Sequence, residues 1–182
     1  MTFRLADALP QKVIDDWKLE LDINRDTPAT DPRMIDLRRK IERYEDAGHG
    51  SCVLRDPAPA EITETALLHF DGERYRLIAW CVMPNHVHAM FEMRDGYVLS
   101  RVLHSWKSFT AKEINKVLGK TGQLWLEEYR DRFIRDENHF HMTVAYIENN
   151  PVKAGLCRAP EEWAFSSARY REHGGRDARA PR

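Results

Sequence analysis

Two apolar runs, residues 75–83 and 86–93, are separated only by Pro84-Asn85, a pair that marks a turn between hydrophobic strands. The spacing predicts an antiparallel hairpin, and any fold for this chain must bury both of its arms. The second arm opens with His86-Val87-His88. Side chains alternate along a strand, so both imidazoles share one face and Val87 takes the other. Two rings fixed side by side form half of a metal site. The spacing alone is weak evidence, because eight histidines in the chain make chance pairs common, and a second pair occurs at His139-Phe140-His141. That pair lies in a helical pattern, where a step of two turns the rings about 200° apart. Strand histidines are most often hydrogen-bonded groups at a sheet surface, so the first pair needs support from elsewhere.

The rest of the chain places the hairpin in a mixed fold. Residues 2–5 read as a short strand. Residues 13–21 and 34–44 have helical spacing, the second opened by Asp31 as N-cap and Pro32 at N1. The stretch Ala47-Gly48-His49-Gly50 ends that helix, residues 51–55 are expected as a brief edge strand, and residues 57–70 fit a helix with Ile62, Leu67 and Leu68 inward. Residues 97–118 give the clearest amphipathic helix. Val102, Leu103, Trp106, Phe109, Thr110, Ile114 and Val117 cluster on one side, with Arg101, Ser105, Ser108, Lys112 and Lys116 opposite and Gly119 as the stop. Residues 123–126 and 132–134 look extended. A last long helix runs from Glu137 to Asn149 or Asn150, capped by Asp136 and stopped by Pro151. Strands and helices mix without a regular βαβ alternation, which favours an α+β domain: an antiparallel sheet with helices packed on it. A chain of 182 residues suits one domain, expected over residues 1–173, with a disordered tail at 174–182.

Composition excludes some classes. The longest apolar run, residues 77–83, is too short to span a bilayer, and the N-terminus has no hydrophobic signal segment. Three widely spaced cysteines, Cys52, Cys81 and Cys157, point to inert free thiols in a reducing cytosol. The net charge of −1 does not advertise a nucleic-acid binder. Locally the balance differs: between Arg101 and Lys120 five basic residues face one acid, Glu113. Such a stripe is ordinarily a solvated helix face.

The last helix carries Tyr146 and Asn150, four residues apart and therefore on one face. If that face lies over the strand bearing His86 and His88, a phenol and an amide oxygen converge on two imidazoles. Two nitrogens and one neutral oxygen leave coordination positions open, which suits Mg²⁺ or Mn²⁺ better than structural zinc with its four closed ligands.

Val82-Met83-Pro84-Asn85-His86-Val87-His88, taken with Tyr146-Ile147-X-X-Asn150-Pro151-Val152-Lys153-Ala154-Gly155-Leu156, resembles the REP-associated tyrosine transposases, single-tyrosine members of the HUH nuclease group related to insertion-sequence transposases. Thr2 to Asp7, Ser105 to Ala111 and Trp125 to Asp136 support the likeness. The resemblance implies a ferredoxin-like sheet with helices on it, a divalent metal on His86 and His88 with Asn150 as third ligand, and Tyr146 as nucleophile. It implies a cytoplasmic, nucleoid-associated bacterial endonuclease and strand-transferase, monomer or homodimer, that cuts and rejoins single-stranded DNA beside palindromic hairpins through a 5′-phosphotyrosine. A hairpin-binding protein without cleavage activity is the alternative. Beside a DNA enzyme, Arg101, Lys112, Lys116, Arg130 and Lys153 become candidate DNA contacts. Trp125 and Tyr129 become candidate stacking platforms. Lys153 could equally complement its own helix C-terminus.

Overall fold

A computed structural model describes residues 1–171. The elements run β1 (Thr2–Leu5), α1 (Gln11–Glu20), α2 (Pro32–Asp46), α3 (Pro57–His69), β2 (Tyr75–Val82), β3 (His86–Met93), α4 (Leu99–Leu118), β4 (Trp125–Arg130), α5 (Glu137–Glu148) and a short α6 (Asn150–Lys153). The four strands lie in the order β2-β3-β1-β4, with every pairing antiparallel. The links from β1 to β2 through α3, and from β3 to β4 through α4, each skip one strand. That is the ferredoxin-like arrangement implied by the family resemblance, with α1 and α2 inserted between β1 and α3.

Alternation along the strands sorts side chains into two cores. Phe3, Leu5, Trp80, Val82, Val87 and Ala89 pack with Leu67 of α3 and Leu103, Trp106 and Ile114 of α4. Inside this layer the Trp106 indole donates to the Tyr75 hydroxyl at 2.9 Å, which donates to the Leu67 carbonyl at 2.7 Å, so the polar tips are satisfied. On the other face Ala79, Cys81, Met83 and Met90 meet Ile147 of α5. His86 and His88, in step with Met90, therefore face α5.

Several expectations need correction. Residues 51–55 form no edge strand; Val53–Arg55 is a 3-10 turn, and Gly50 before it, at φ +88°, passes so close to the backbone of Asp7 that a Cβ would meet its carbonyl at 2.7 Å. The fourth strand spans Trp125–Arg130, and residues 132–134 have no regular structure. Pro151 does not stop the last helix. The break falls at Asn149, and Pro151 sits in the first turn of α6, where its missing N–H costs nothing. Phe109 and Val117 are about half exposed, not core. The tail expected at 174–182 lies outside the described residues. Beyond α6 the chain crosses the β2 edge: Val82 donates to the Phe165 carbonyl at 2.9 Å, and the Ser167 hydroxyl bonds Glu148 of α5 at 2.7 Å. This segment ties α5 to the sheet.

Candidate active site

β3 brings His86 and His88 to the α5 side of the sheet with their Nε2 atoms 3.0 Å apart. Each ring is held through its other nitrogen. His86 Nδ1 lies 2.7 Å from Asn85 Oδ1, and His88 Nδ1 lies 2.8 Å from the Thr2 hydroxyl on β1. Asn85 Nδ2 donates to the carbonyls of Glu45 and His49. Its oxygen therefore accepts from His86, and the neutral ring keeps a bare lone pair at Nε2. Burial holds both rings neutral. The pKa of His86 is pushed down to about 3 by desolvation and then by Arg4, Arg130 and Lys153. That of His88 falls well below its usual value for the same first reason, with His86 next.

Asn150, at the start of α6, points its amide at the pair, with Nδ2 3.1 Å from His88 Nε2. Its Oδ1 is buried without a partner. A half-turn of the amide exchanges the two atoms, so two imidazole nitrogens and one amide oxygen converge. Two nitrogens about 2.1 Å from one ion and at right angles to each other would stand about 3.0 Å apart. That matches the spacing here. The donor set thus fits a divalent cation with open positions. Among the described residues no three His, Cys, Asp or Glu side chains converge as a closed zinc site would require.

Tyr146 lies on α5 one turn before Asn150. Its ring meets His88 edge-on, with centroids 5.5 Å apart and planes at 73°. At 38 % exposure it is the most exposed of the four; His86 and Asn150 are at 0 % and His88 at 5 %. Its pKa is pushed up to about 12, first by burial and then by Glu42 and Asp46, with Asn150 opposing. The structure therefore brings together all four residues singled out as metal ligands and nucleophile.

The basic candidates divide. Arg130 and Lys153 border the site: Arg130 pairs with Glu45 at 3.3 Å, and Lys153 pairs with Asp46 at 2.8 Å while standing 5.7 Å from the Tyr146 ring centroid. Arg101, Lys112 and Lys116 lie on the exposed side of α4, across the sheet from the histidines. Trp125 is no stacking platform; it is buried against Phe3 and donates to the Thr110 hydroxyl. Tyr129 remains partly exposed. Sequence reading missed Arg4, Thr2, Glu45 and the orienting role of Asn85. Strand alternation carries the signal for the first two, since Thr2 and Arg4 share a face and pair with His88 and His86.

A family model described as "Transposase IS200 like" matches residues 53–150, a span that includes His86, His88, Tyr146 and Asn150. The chain belongs to that family. Among its curated relatives are the putative REP-associated tyrosine transposase of Haemophilus influenzae, 26 % identical over 104 residues, and the REP-associated tyrosine transposase of Escherichia coli K12, 26 % identical over 93 residues. Each alignment covers 51 % of this chain, and 58 % and 54 % of the two relatives. The chain thus spans about half the length of the curated relatives it matches. A solved structure of a REP-associated tyrosine transposase bound to a REP hairpin superposes with a TM-score of 0.58 at 19 % identity, covering 99 % of this chain and 82 % of that one. This likeness shows the fold. Among the described residues no helix is long and apolar enough to cross a membrane.

Proposed function

We propose that this IS200-like transposase is a single-strand DNA endonuclease and strand-transferase that cuts and rejoins DNA beside palindromic hairpins, with Tyr146 as its nucleophile. One observation carries the reading: a partly exposed phenol packs edge-on against His88, one of two neutral imidazoles beside an amide oxygen that lacks a partner. His86, His88 and Asn150 would hold Mg²⁺ or Mn²⁺, which supplies charge neutralisation for the scissile phosphate and its departing 3′ oxygen when bound.

The chain's own groups divide the remaining work. Asn85 and Thr2 fix the two rings so that both Nε2 atoms point inward. Tyr146 Oη attacks phosphorus, the bond from phosphorus to O3′ breaks, and the products are a 5′-phosphotyrosine and a free 3′-OH. A phenol with its pKa near 12 is neutral at rest, so its proton leaves as the new bond forms. The phosphotyrosine ester stores the energy of the cleaved bond. A 3′-OH can therefore reverse the step and join strands without ATP.

The test is an oligonucleotide carrying an imperfect palindrome and a single-stranded flank, incubated with the protein and Mn²⁺. Nicking in the flank, dependent on the hairpin and abolished by chelator, is expected. Binding without nicking in any divalent metal would leave the hairpin-binding alternative standing instead.

A further inference from the structure

His86 and His88 are buried, and a helix whose end bonds the residues around them lies outside the family match. α2 precedes residue 53, where that match begins, yet its last turn touches four parts of the site. Glu45 lies 2.6 Å from Arg4 on β1 and 3.3 Å from Arg130 on β4. Its carbonyl accepts from Asn85 in the turn before His86. Asp46 pairs with Lys153 on α6 at 2.8 Å. Three cations from three separate elements thus surround the histidines, and two carboxylates from one helix end occupy them. Arg4 is 94 % buried, its register partner on β3 is His86, and its Nε has no acceptor; Arg130 Nε has none either. Carboxylates from α2 therefore leave this cradle incompletely satisfied.

We propose that Arg4, Arg130 and Lys153 form a binding cradle for DNA backbone phosphates, and that Glu45 and Asp46 occupy it as carboxylate stand-ins until single-stranded DNA displaces the end of α2. This rests on the reading of the protein as a DNA strand-transferase and adds how substrate enters. The non-bridging oxygens of backbone phosphates match the planar donor forks of the two guanidinium groups, and their negative charge suits the point charge of the lysine. Both guanidinium groups and the lysine are held by α2 carboxylates, so a phosphate can take them only if the α2 end gives them up. Moving it exposes three positive charges along the path to Tyr146. Gly48, at positive φ directly after α2, provides a place for the chain to bend, and Gly50, packed against the Asp7 backbone, is the fixed end beyond it.

The test uses the full chain without divalent metal and a fluorescent hairpin oligonucleotide with a single-stranded flank. Asp46→Asn should tighten binding about threefold to fivefold, the factor that corresponds to a partly exposed ion pair. Glu45→Gln, if folded, should tighten it further, and Lys153→Gln should lower the magnitude of the log–log salt slope by about 0.7, one single-strand phosphate contact. Hydrogen exchange at residues 42–50 should speed up when the oligonucleotide binds. Binding by Asp46→Asn equal to wild type, with protection at 42–50 retained, would overturn the cradle, and nicking by the same preparations once Mn²⁺ is added would leave the strand-transferase reading intact. Absence of binding by every form would overturn both.

Discussion

Asn85 Oδ1 sits 2.7 Å from His86 Nδ1, and the two carbonyls taken by the Asn85 amide leave that oxygen no orientation but facing the ring. A turn residue thereby decides which nitrogen of His86 carries the proton. Asn85→Ala deprives two carbonyls and the His86 ring of their partner, so it should lower stability by about 1–3 kcal/mol and weaken Mn²⁺ binding by about 10-fold to 100-fold, the usual cost of losing an orienting partner. Titration calorimetry checks this; unchanged affinity would mean that the ring is held by packing alone.

Acid should unfold the metal-free protein earlier than its carboxylates alone would dictate. His86 has its pKa pushed from 6.5 down to about 3, and that of His88 is lowered in the same direction. The unfolded chain takes up protons that the folded one refuses. Stability is therefore full above 6.5 and is lost as pH falls from 6.5 toward 3, by up to about 1.4 kcal/mol per pH unit for each ring. Urea midpoints measured across that interval should fall steadily, and saturating Mn²⁺ should hold them up near its upper end. Midpoints that stay flat across the interval would show that the rings already accept protons in the folded state.

Trp125 and Tyr129 lie towards opposite ends of β4 and have opposite fates. The Trp125 ring packs edge-on against Phe3 with centroids 4.8 Å apart. Trp125→Ala should cost about 3–5 kcal/mol in denaturant unfolding. Tyr129→Ala, at an exposed position, should cost within about 0.5 kcal/mol. Similar losses for the two would contradict the inward placement of Trp125.

Ser167→Ala removes the hydroxyl that bonds Glu148 at 2.7 Å and leaves a buried carboxylate short of a donor. A loss of about 1–2 kcal/mol is expected, together with faster amide exchange in α5. An unchanged α5 would show that the segment after α6 does not anchor it.

The sequence made some of this legible and hid the rest for physical reasons. Alternation in β3 was enough to put His86 and His88 on one face, and the four-residue step from Tyr146 to Asn150 put both on one helical surface. Asp31 and Pro32 announced the start of α2 correctly, because caps are local. What α2 covers was not legible. Its contacts join Glu45 to Arg4 and Arg130, far apart along the chain, and no local pattern encodes them. Trp125 misled because its polar neighbours, Gln123 and Glu127, suggested a surface loop, whereas pairing with β1 turns its ring inward. Phe109 and Val117 misled in the opposite way. They fall at the margin of the apolar stripe of α4, where a few degrees of helix rotation decide burial.

The most direct measurement is mass spectrometry of the protein after incubation with Mn²⁺ and a hairpin oligonucleotide, comparing wild type with Tyr146→Phe. A DNA adduct on the Tyr146 peptide through a 5′-phosphate, absent in Tyr146→Phe, is the predicted result. An adduct that persists in Tyr146→Phe, or nicked DNA with no adduct on the wild-type protein, would contradict the assignment of this phenol as the nucleophile.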